Sequence, residues 1–242
     1  SFADAEASRG PGVRYSLNGS PYREEDLPVS ASVYRLFFDT HAPLSEKRLR
    51  IDHRIDPPQG SGFGTSGAGA LSMAMALNAA LDFPFSQEEA AGIAHTAEVE
   101  NKTGLGTVIG EYYGGFEIRT EAGAPGFGKI DPIAFPPNLT VVCAVFGPYS
   151  TKAALSDSGI RDRINTLGRK YHAELLASPT VAAFLSYAHS FSRETGLLTE
   201  TCSKAMELLE KAGYTGSMLM FGEAVFTLVP RKEAESVENL LK

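Results

Sequence analysis

Apolar residues at Val33, Leu36 and Phe37 recur with helical spacing, which predicts a helix over residues 30–40. Residues 49–55 alternate apolar with polar, the signature of a half-exposed strand. Residues 66–81 are Ala, Leu and Met on nearly every side, so the helix expected there is buried. Ser86-Gln87-Glu88-Glu89 has the spacing of a capping box and opens a helix that runs to about residue 100. Gly104 and Gly106 break the chain, and a strand is expected at 116–120 after Gly114-Gly115. Residues 1–30 are rich in Gly, Ser, Pro and charge. They show only a short strand at 13–17, preceded by a turn at Ser8-Arg9-Gly10-Pro11-Gly12.

A Gly/Pro-rich loop at 123–128 precedes a domain boundary placed near residue 137. The second half opens with a strand at 140–146. Two or three helices follow between 158 and 211, the last stopped by Gly213. Strands at 217–221 and 224–229 are joined by a tight Gly222-Glu223 turn, and an amphipathic helix starts near 232. This order predicts an α+β architecture with helices on one face of a sheet.

Composition narrows the partners more than the fold. The chain has 242 residues, 43% of them hydrophobic and 21% charged, which is enough for a sizeable core. Net charge is −7, with no basic run, so no nucleic-acid partner is expected. No apolar run reaches the roughly 18 residues of a bilayer span, and residues 1–6 do not resemble a secretory signal, so no membrane partner is expected either. Cys143 and Cys202 are far apart and outside any metal spacing. Two buried thiols are expected, in a cytoplasmic protein.

The chemistry concentrates at residues 58–68, Pro-Gln-Gly-Ser-Gly-Phe-Gly-Thr-Ser-Gly-Ala. Gly60, Gly62, Gly64 and Gly67 permit positive φ and close backbone approach. Ser61, Thr65 and Ser66 supply hydroxyls, and Ala68 lies in the first turn of the following helix. A strand, a glycine loop and a helix N-terminus together favour a bound phosphate. The loop lacks the Gly-Lys-Ser/Thr ending of a Walker A loop, and no suitably placed acidic residue supports a dinucleotide fingerprint. A tight loop capped by Thr65 or Ser66 would account for the same spacing.

Pro58-x-x-x-Gly62-Phe63-Gly64-Thr65-Ser66-Gly67-Ala68 resembles the second motif of the GHMP kinase superfamily. Four further segments resemble the archaeal pantoate kinases within it: His95-x-x-Glu98-x-Glu100-x-x-Thr103-Gly104-Leu105-Gly106, Gly123-Ala124-Pro125-Gly126, residues 146–157 and Gly216-Ser217-Met218-x-Met220-x-Gly222. The resemblance runs from about residue 47 to the C-terminus. It implies the GHMP kinase fold, with a ribosomal-protein-S5-like domain over 1–137, a ferredoxin-like domain over 138–242, and ATP and substrate between them. It implies ATP-dependent phosphorylation of pantoate to 4-phosphopantoate with Mg²⁺, a step toward coenzyme A, by a cytoplasmic homodimer. The superfamily's opening Pro-Gly-x motif is not found before Ser8, and residues 12–14 are short for the strands the family carries there, so the chain is expected to omit stretches.

The resemblance also implies roles. Ser66 and Glu98 would hold Mg²⁺, which prefers oxygen ligands. Two residues along a helix rotate by about 200°, so Glu98 and Glu100 face opposite ways. Glu98 borders the packed face of Ala90, Ile93, Ala94 and Ala97, which favours it over Glu100. His95, Arg119 and Ser8 would contact pantoate, Arg119 through a forked pair of hydrogen bonds to the carboxylate. Thr107 stands where these kinases carry a general-base aspartate, and threonine cannot take that proton at neutral pH. A homoserine or mevalonate kinase of the same superfamily, or a nucleotide-binding homologue with weak or lost catalysis, stays open at this point.

Overall fold

The computed structural model describes residues 1–10, 12–40, 47–104, 106–148 and 158–242. They form two compact units. One comprises residues 1–57 and 64–132, the other residues 58–63 and 133–242.

The first unit is built on a four-stranded sheet in the order β1-β4-β2-β3. The strands are β1 (Phe2–Arg9), β2 (Gly12–Leu17), β3 (Ser20–Tyr22) and β4 (Lys47–Arg54). β1 runs antiparallel to β4, and β2 parallel to it. The alternation in β4 places Leu49, Ile51 and His53 inside, while Arg48, Arg50 and Arg54 face out. The inner face packs on α1 (Pro28–Thr40), α2 (Thr65–Ala80) and α3 (Gln87–Asn101). Val33, Phe37, Met73 and Leu77 fill this core, each almost wholly buried. Burial of one such side chain is worth about 1.5–3 kcal/mol. Ala90, Ala94 and Ala97 let α3 lie close against α2. α4 (Thr107–Tyr113) and the hairpin β5 (Glu117–Glu121) with β6 (Lys129–Pro132) complete the unit.

The second unit has an antiparallel sheet in the order β7-β9-β8, made from β7 (Leu139–Gly147), β8 (Gly216–Met218) and β9 (Glu223–Pro230). Between β7 and β8 come α5 (Ser158–Ala177), α6 (Val181–Glu194) and α7 (Glu200–Lys211), and α8 (Ala234–Leu240) ends the chain. Met206 and Leu209 of α7 and Val237 of α8 are fully buried, beside Val225 and Val229 of β9.

Three expectations change. Residues 1–30 are not largely irregular: they carry β1 and the β2–β3 hairpin. That hairpin turns on Asn18-Gly19, both at positive φ (51° and 80°), the pairing that suits a two-residue turn. Ser8 lies within β1 rather than in a turn, because its backbone pairs with Arg48 of β4. Cys202 is buried as expected, but Cys143 is exposed on β7.

His53 sits in the core of the first unit, 3.0 Å from Ser30 Oγ through Nε2. Burial pushes its pKa below the ordinary value, and the charge of Asp52 offsets this only in part. The unfolded chain therefore binds a proton at His53 that the folded chain resists. The resulting stability is complete above about pH 6.5 and is lost as pH falls below it. Thermal melts between pH 7 and 5 should show an acid loss of up to about 1.4 kcal/mol per pH unit that flattens in His53→Leu. Equal acid slopes in the two proteins would exclude His53 as the cause.

Candidate active site

The first turn of α2 begins at Gly64, which has φ 66° and ψ 20° and gives no side-chain cap. The amides of Thr65, Ser66 and Gly67 precede the first intrahelical bond, from the Ala68 amide to the Gly64 carbonyl (3.0 Å). Unpaired amides at a helix start favour an anion.

Ser66 is free for other chemistry because it does not cap the helix. Its hydroxyl donates to Glu98 Oε1 across the α2–α3 contact, at 2.5 Å. Thr103 Oγ1 donates to the same oxygen at 2.7 Å. Thr103 reaches back because α3 ends at Lys102 in the left-handed conformation (φ 56°), which folds the chain over the last turn. Glu98 is 2% exposed, more deeply buried than a residue bordering the packed face would be. Glu100 faces outward and pairs with Arg35 at 2.5 Å. Among the described residues no cation pairs with Glu98. A buried carboxylate held only by hydroxyls lacks a compensating positive charge, which fits a site for a hard divalent cation.

Gly104 keeps the other carboxylate oxygen accessible. A Cβ there would collide with Glu98 Oε2 and lie 3.2 Å from Thr107 Oγ1. Thr107 opens α4 and rests its methyl against Gly64. One turn later Glu111 lies against the same loop. Its Oε1 is 2.9 Å from the Cβ position of Gly64, and its Oε2 is 2.9 Å from that of Gly67. Burial first, and then the charge of Glu98, raise the Glu111 pKa to about 7, against the pull of Arg119.

Arg119 on β5 packs its guanidinium over α4 where that helix has no side chains. Nη1 lies 3.0 Å from the Cβ position of Gly106, and Nη2 lies 2.8 Å from that of Gly110. Glu117 Oε1 accepts from Arg119 Nε at 3.1 Å. His95 is half-buried one turn before Glu98, with its Nδ1 buried and unpartnered among the described residues.

Ser66, Glu98, Thr107 and Arg119 thus gather around α4 and the start of α2, joined by Glu111, which no pattern in the sequence singles out. Ser8 lies elsewhere on the unit. With Arg14, Arg48 and Arg50 it lines an open cavity of about 480 Å³ on the outer face of the sheet. Gly60, Ser61 and Gly62 belong to the second unit. There Gly62 (φ 81°) lies 2.9 Å from Leu219 Cβ at its Cβ position, and Gly222 packs on the Ser61 carbonyl too closely for any side chain. Ser61 is 1% exposed, and its hydroxyl has no partner among the described residues. The segment 149–157 of the pantoate kinase resemblance, and Leu105, lie outside the described residues.

Residues 29–115 match the GHMP kinases N terminal domain family. Over 230 residues the chain is 35% identical to a pantoate kinase of Thermococcus kodakarensis, covering 95% of this chain and 74% of that one. It is 34% identical over 189 residues to a pantoate kinase of Methanocaldococcus jannaschii, covering 77% and 67%. A solved structure described as a phosphotransferase related to the CoA biosynthesis pathway superposes with a TM-score of 0.84 at 33% identity, over 97% of this chain and 77% of that one. With this identity spread along nearly its whole length, and with the α+β fold to match, the chain belongs to the archaeal pantoate kinase family of the GHMP kinase superfamily.

Proposed function

We propose that this chain transfers the γ-phosphoryl group of ATP to the 4-hydroxyl of pantoate, giving 4-phosphopantoate and ADP, a step toward coenzyme A. The observation that carries the reading is the buried Glu98 carboxylate held by Ser66 at the first turn of the glycine-loop helix. Phosphoryl transfer needs positioning and charge neutralisation more than covalent chemistry. This arrangement supplies the positioning, and a divalent cation held by it would supply the neutralisation.

Residues 64–68 would receive the ATP phosphates on the amides of the α2 first turn, with the Thr65 side chain beside them. Gly60, Ser61 and Gly62 would shape the preceding half of that loop through backbone groups, since the Ser61 side chain is packed away. Ser66 Oγ and the Glu98 carboxylate would hold Mg²⁺, which neutralises charge on the transferring phosphates. The Arg119 guanidinium, supported by Glu117, suits the pantoate carboxylate. His95 would contact the rest of the substrate, whereas Ser8, on the outer face of the sheet, is set apart from these groups. The same proposal includes a nucleotide-binding domain over 1–137, a ferredoxin-like domain over 138–242, a homodimer and a cytoplasmic location. Among the described residues no helix is long and apolar enough to cross a membrane.

Thr107 leaves no carboxylate where the resemblance places the base. The acceptor hydroxyl then gives its proton to the transferring phosphoryl group. That route suits a loose transition state, in which the nucleophile is little activated.

Three measurements test this reading. ATP consumption should depend on pantoate. Phosphorylation of homoserine or mevalonate but not pantoate would refute the choice of acceptor, and nucleotide binding without turnover on any of them would favour a non-catalytic homologue. Glu98→Gln should lower kcat/KM by roughly 100-fold or more, as expected for several kcal/mol of metal-borne charge stabilisation. Full activity in that variant would remove Glu98 from the site. Thr107→Asp should raise kcat about tenfold or more if a base is what the chain lacks, given base contributions of about 10²–10⁴. An unchanged kcat would show that the reaction proceeds without one.

A further inference from the structure

The outer face of the first unit's sheet carries a charge pattern that the kinase reading leaves unused. The chain as a whole is acidic, with 29 Asp and Glu against 22 Lys and Arg. On this face the balance reverses. Arg14, Arg48 and Arg50 line one open cavity of about 480 Å³, with Glu6 as its single carboxylate and Ser8 beside it. Arg48 and Arg50 are two residues apart on β4 and so share its outer face. In the strand register Arg14 of β2 lies next to Arg50, and Glu6 of β1 flanks Arg50 on the other side. Like charges on adjacent strand positions repel, so this cluster costs stability unless an anion relieves it.

The surroundings of each arginine leave that need unmet. Asp52 pairs with Arg50 at 2.8 Å and takes a hydrogen bond from Ser16 on its other oxygen, which fixes Arg50 at the rim. Among the described residues Arg14, Arg48 and Glu6 form no ion pair. The strand neighbours of Arg48 are Ser8 and Gly12, a small hydroxyl and no side chain at all. The space over Gly12 is open, since a Cβ there would meet nothing within 4 Å. Arg48 Nη2 lies 3.6 Å from the Cβ position of Gly10, which brings its guanidinium to the β1 end of the cavity.

We propose that this cavity is a binding site for a phosphoryl group, as inorganic phosphate or a small phosphate monoester, received by Arg14, Arg48 and Arg50 and set apart from the Ser66–Glu98 site.

Three guanidiniums against one carboxylate leave two positive charges to be met. That suits a phosphate dianion better than a single carboxylate, and a guanidinium fork matches two phosphate oxygens at once. The cavity is larger than a bare ion needs and falls within the size of small-molecule pockets, about 300–1,000 Å³. Glu6 and Ser8 can bond hydroxyl groups of an ester's organic part. This inference does not depend on the kinase reading, and a chain that failed to phosphorylate pantoate would leave it standing.

The test is an NMR titration of the ¹⁵N-labelled full chain at low ionic strength, with inorganic phosphate and with glycerol 3-phosphate as probes. The amides of residues 12–16 and 48–50 should shift and saturate, with Kd about 1 mM or tighter, and the affinity should fall as salt is added. Arg48→Gln and Arg14→Gln should each weaken binding about tenfold or more, as expected for loss of a hydrogen bond between charged groups. Arg48→Lys, which keeps the charge and loses the fork, should weaken it less. Glu6→Gln should tighten binding by removing a like charge, a gain that misfolding cannot produce. Tighter binding of glycerol 3-phosphate than of inorganic phosphate assigns the site to an ester, and the reverse order assigns it to free phosphate. Shifts confined to residues 64–68, no saturable shift, or unchanged affinity in Arg48→Gln overturns the proposal. So does a loss of kcat/KM for pantoate in Arg48→Gln, which would make the cavity part of the acceptor site.

Discussion

The hydrogen bond from Ser66 to Glu98 is the constraint around which the first unit is arranged. A carboxylate 2% exposed in a core lined with alanine is costly unless its oxygens are satisfied. Here two hydroxyls converge on one oxygen, one from α2 and one from the loop after α3. The second oxygen is left facing Gly104 and Thr107. This requires α2 and α3 to approach closely, and Ala90, Ala94 and Ala97 on one side with Gly67, Ala70 and Ala74 on the other allow it. The small residues of these helices therefore have an electrostatic reason as well as a packing one. A larger side chain at the contact would separate the hydroxyl from the carboxylate and leave a buried charge without a donor.

α4 is held by the same logic of missing side chains. Gly106 and Gly110, one turn apart, present bare backbone to the Arg119 guanidinium, and Thr107 and Glu111, also one turn apart, present side chains to the α2 start. A seven-residue helix has little intrinsic stability. Its two faces are fixed by an arginine on one side and by the glycine loop on the other. Between them the buried Val108 and Ile109 anchor α4 in the core, so a change at either face is passed to the other through a packed helix.

Elements with strong local signals are legible in the amino-acid sequence. The capping box at Ser86 is present with both hydrogen bonds, Glu89 amide to Ser86 Oγ and Ser86 amide to the Glu89 carboxylate. The helical rotation between Glu98 and Glu100 separates an inward from an outward carboxylate, as expected. β1, β3, β6 and α4 are not legible in this way. β1 is mostly small and polar and is a strand only because β4 pairs with it, a contact some 40 residues away in sequence. α4 combines Thr107, Val108, Ile109 and Gly110, all weak helix formers, so its helicity comes from packing. Glu111 is hidden for the same reason, since its position depends on a helix that propensity does not predict. The burial of Ser61 is equally hidden, because it requires the Leu219–Gly222 turn.

Thr107 becomes intelligible once the neighbouring charges are counted. Glu98 and Glu111 already place two carboxyls beside a turn suited to phosphate, and Glu98 is one cause of the raised pKa of Glu111. An aspartate at 107 would be a third, beside Gly64 and between the other two. Like charges near one another raise the pKa of one of them, so an aspartate there would carry an electrostatic cost. A threonine keeps a hydroxyl at that point and fills the space over Gly64 with a methyl group. In a reaction whose nucleophile needs little activation, loss of a base costs less than it would in an acyl transfer. The local charge balance and the chemistry of the transferred group therefore point the same way. A site with one buried carboxyl, one half-buried carboxyl and no third is a coherent one for phosphoryl transfer.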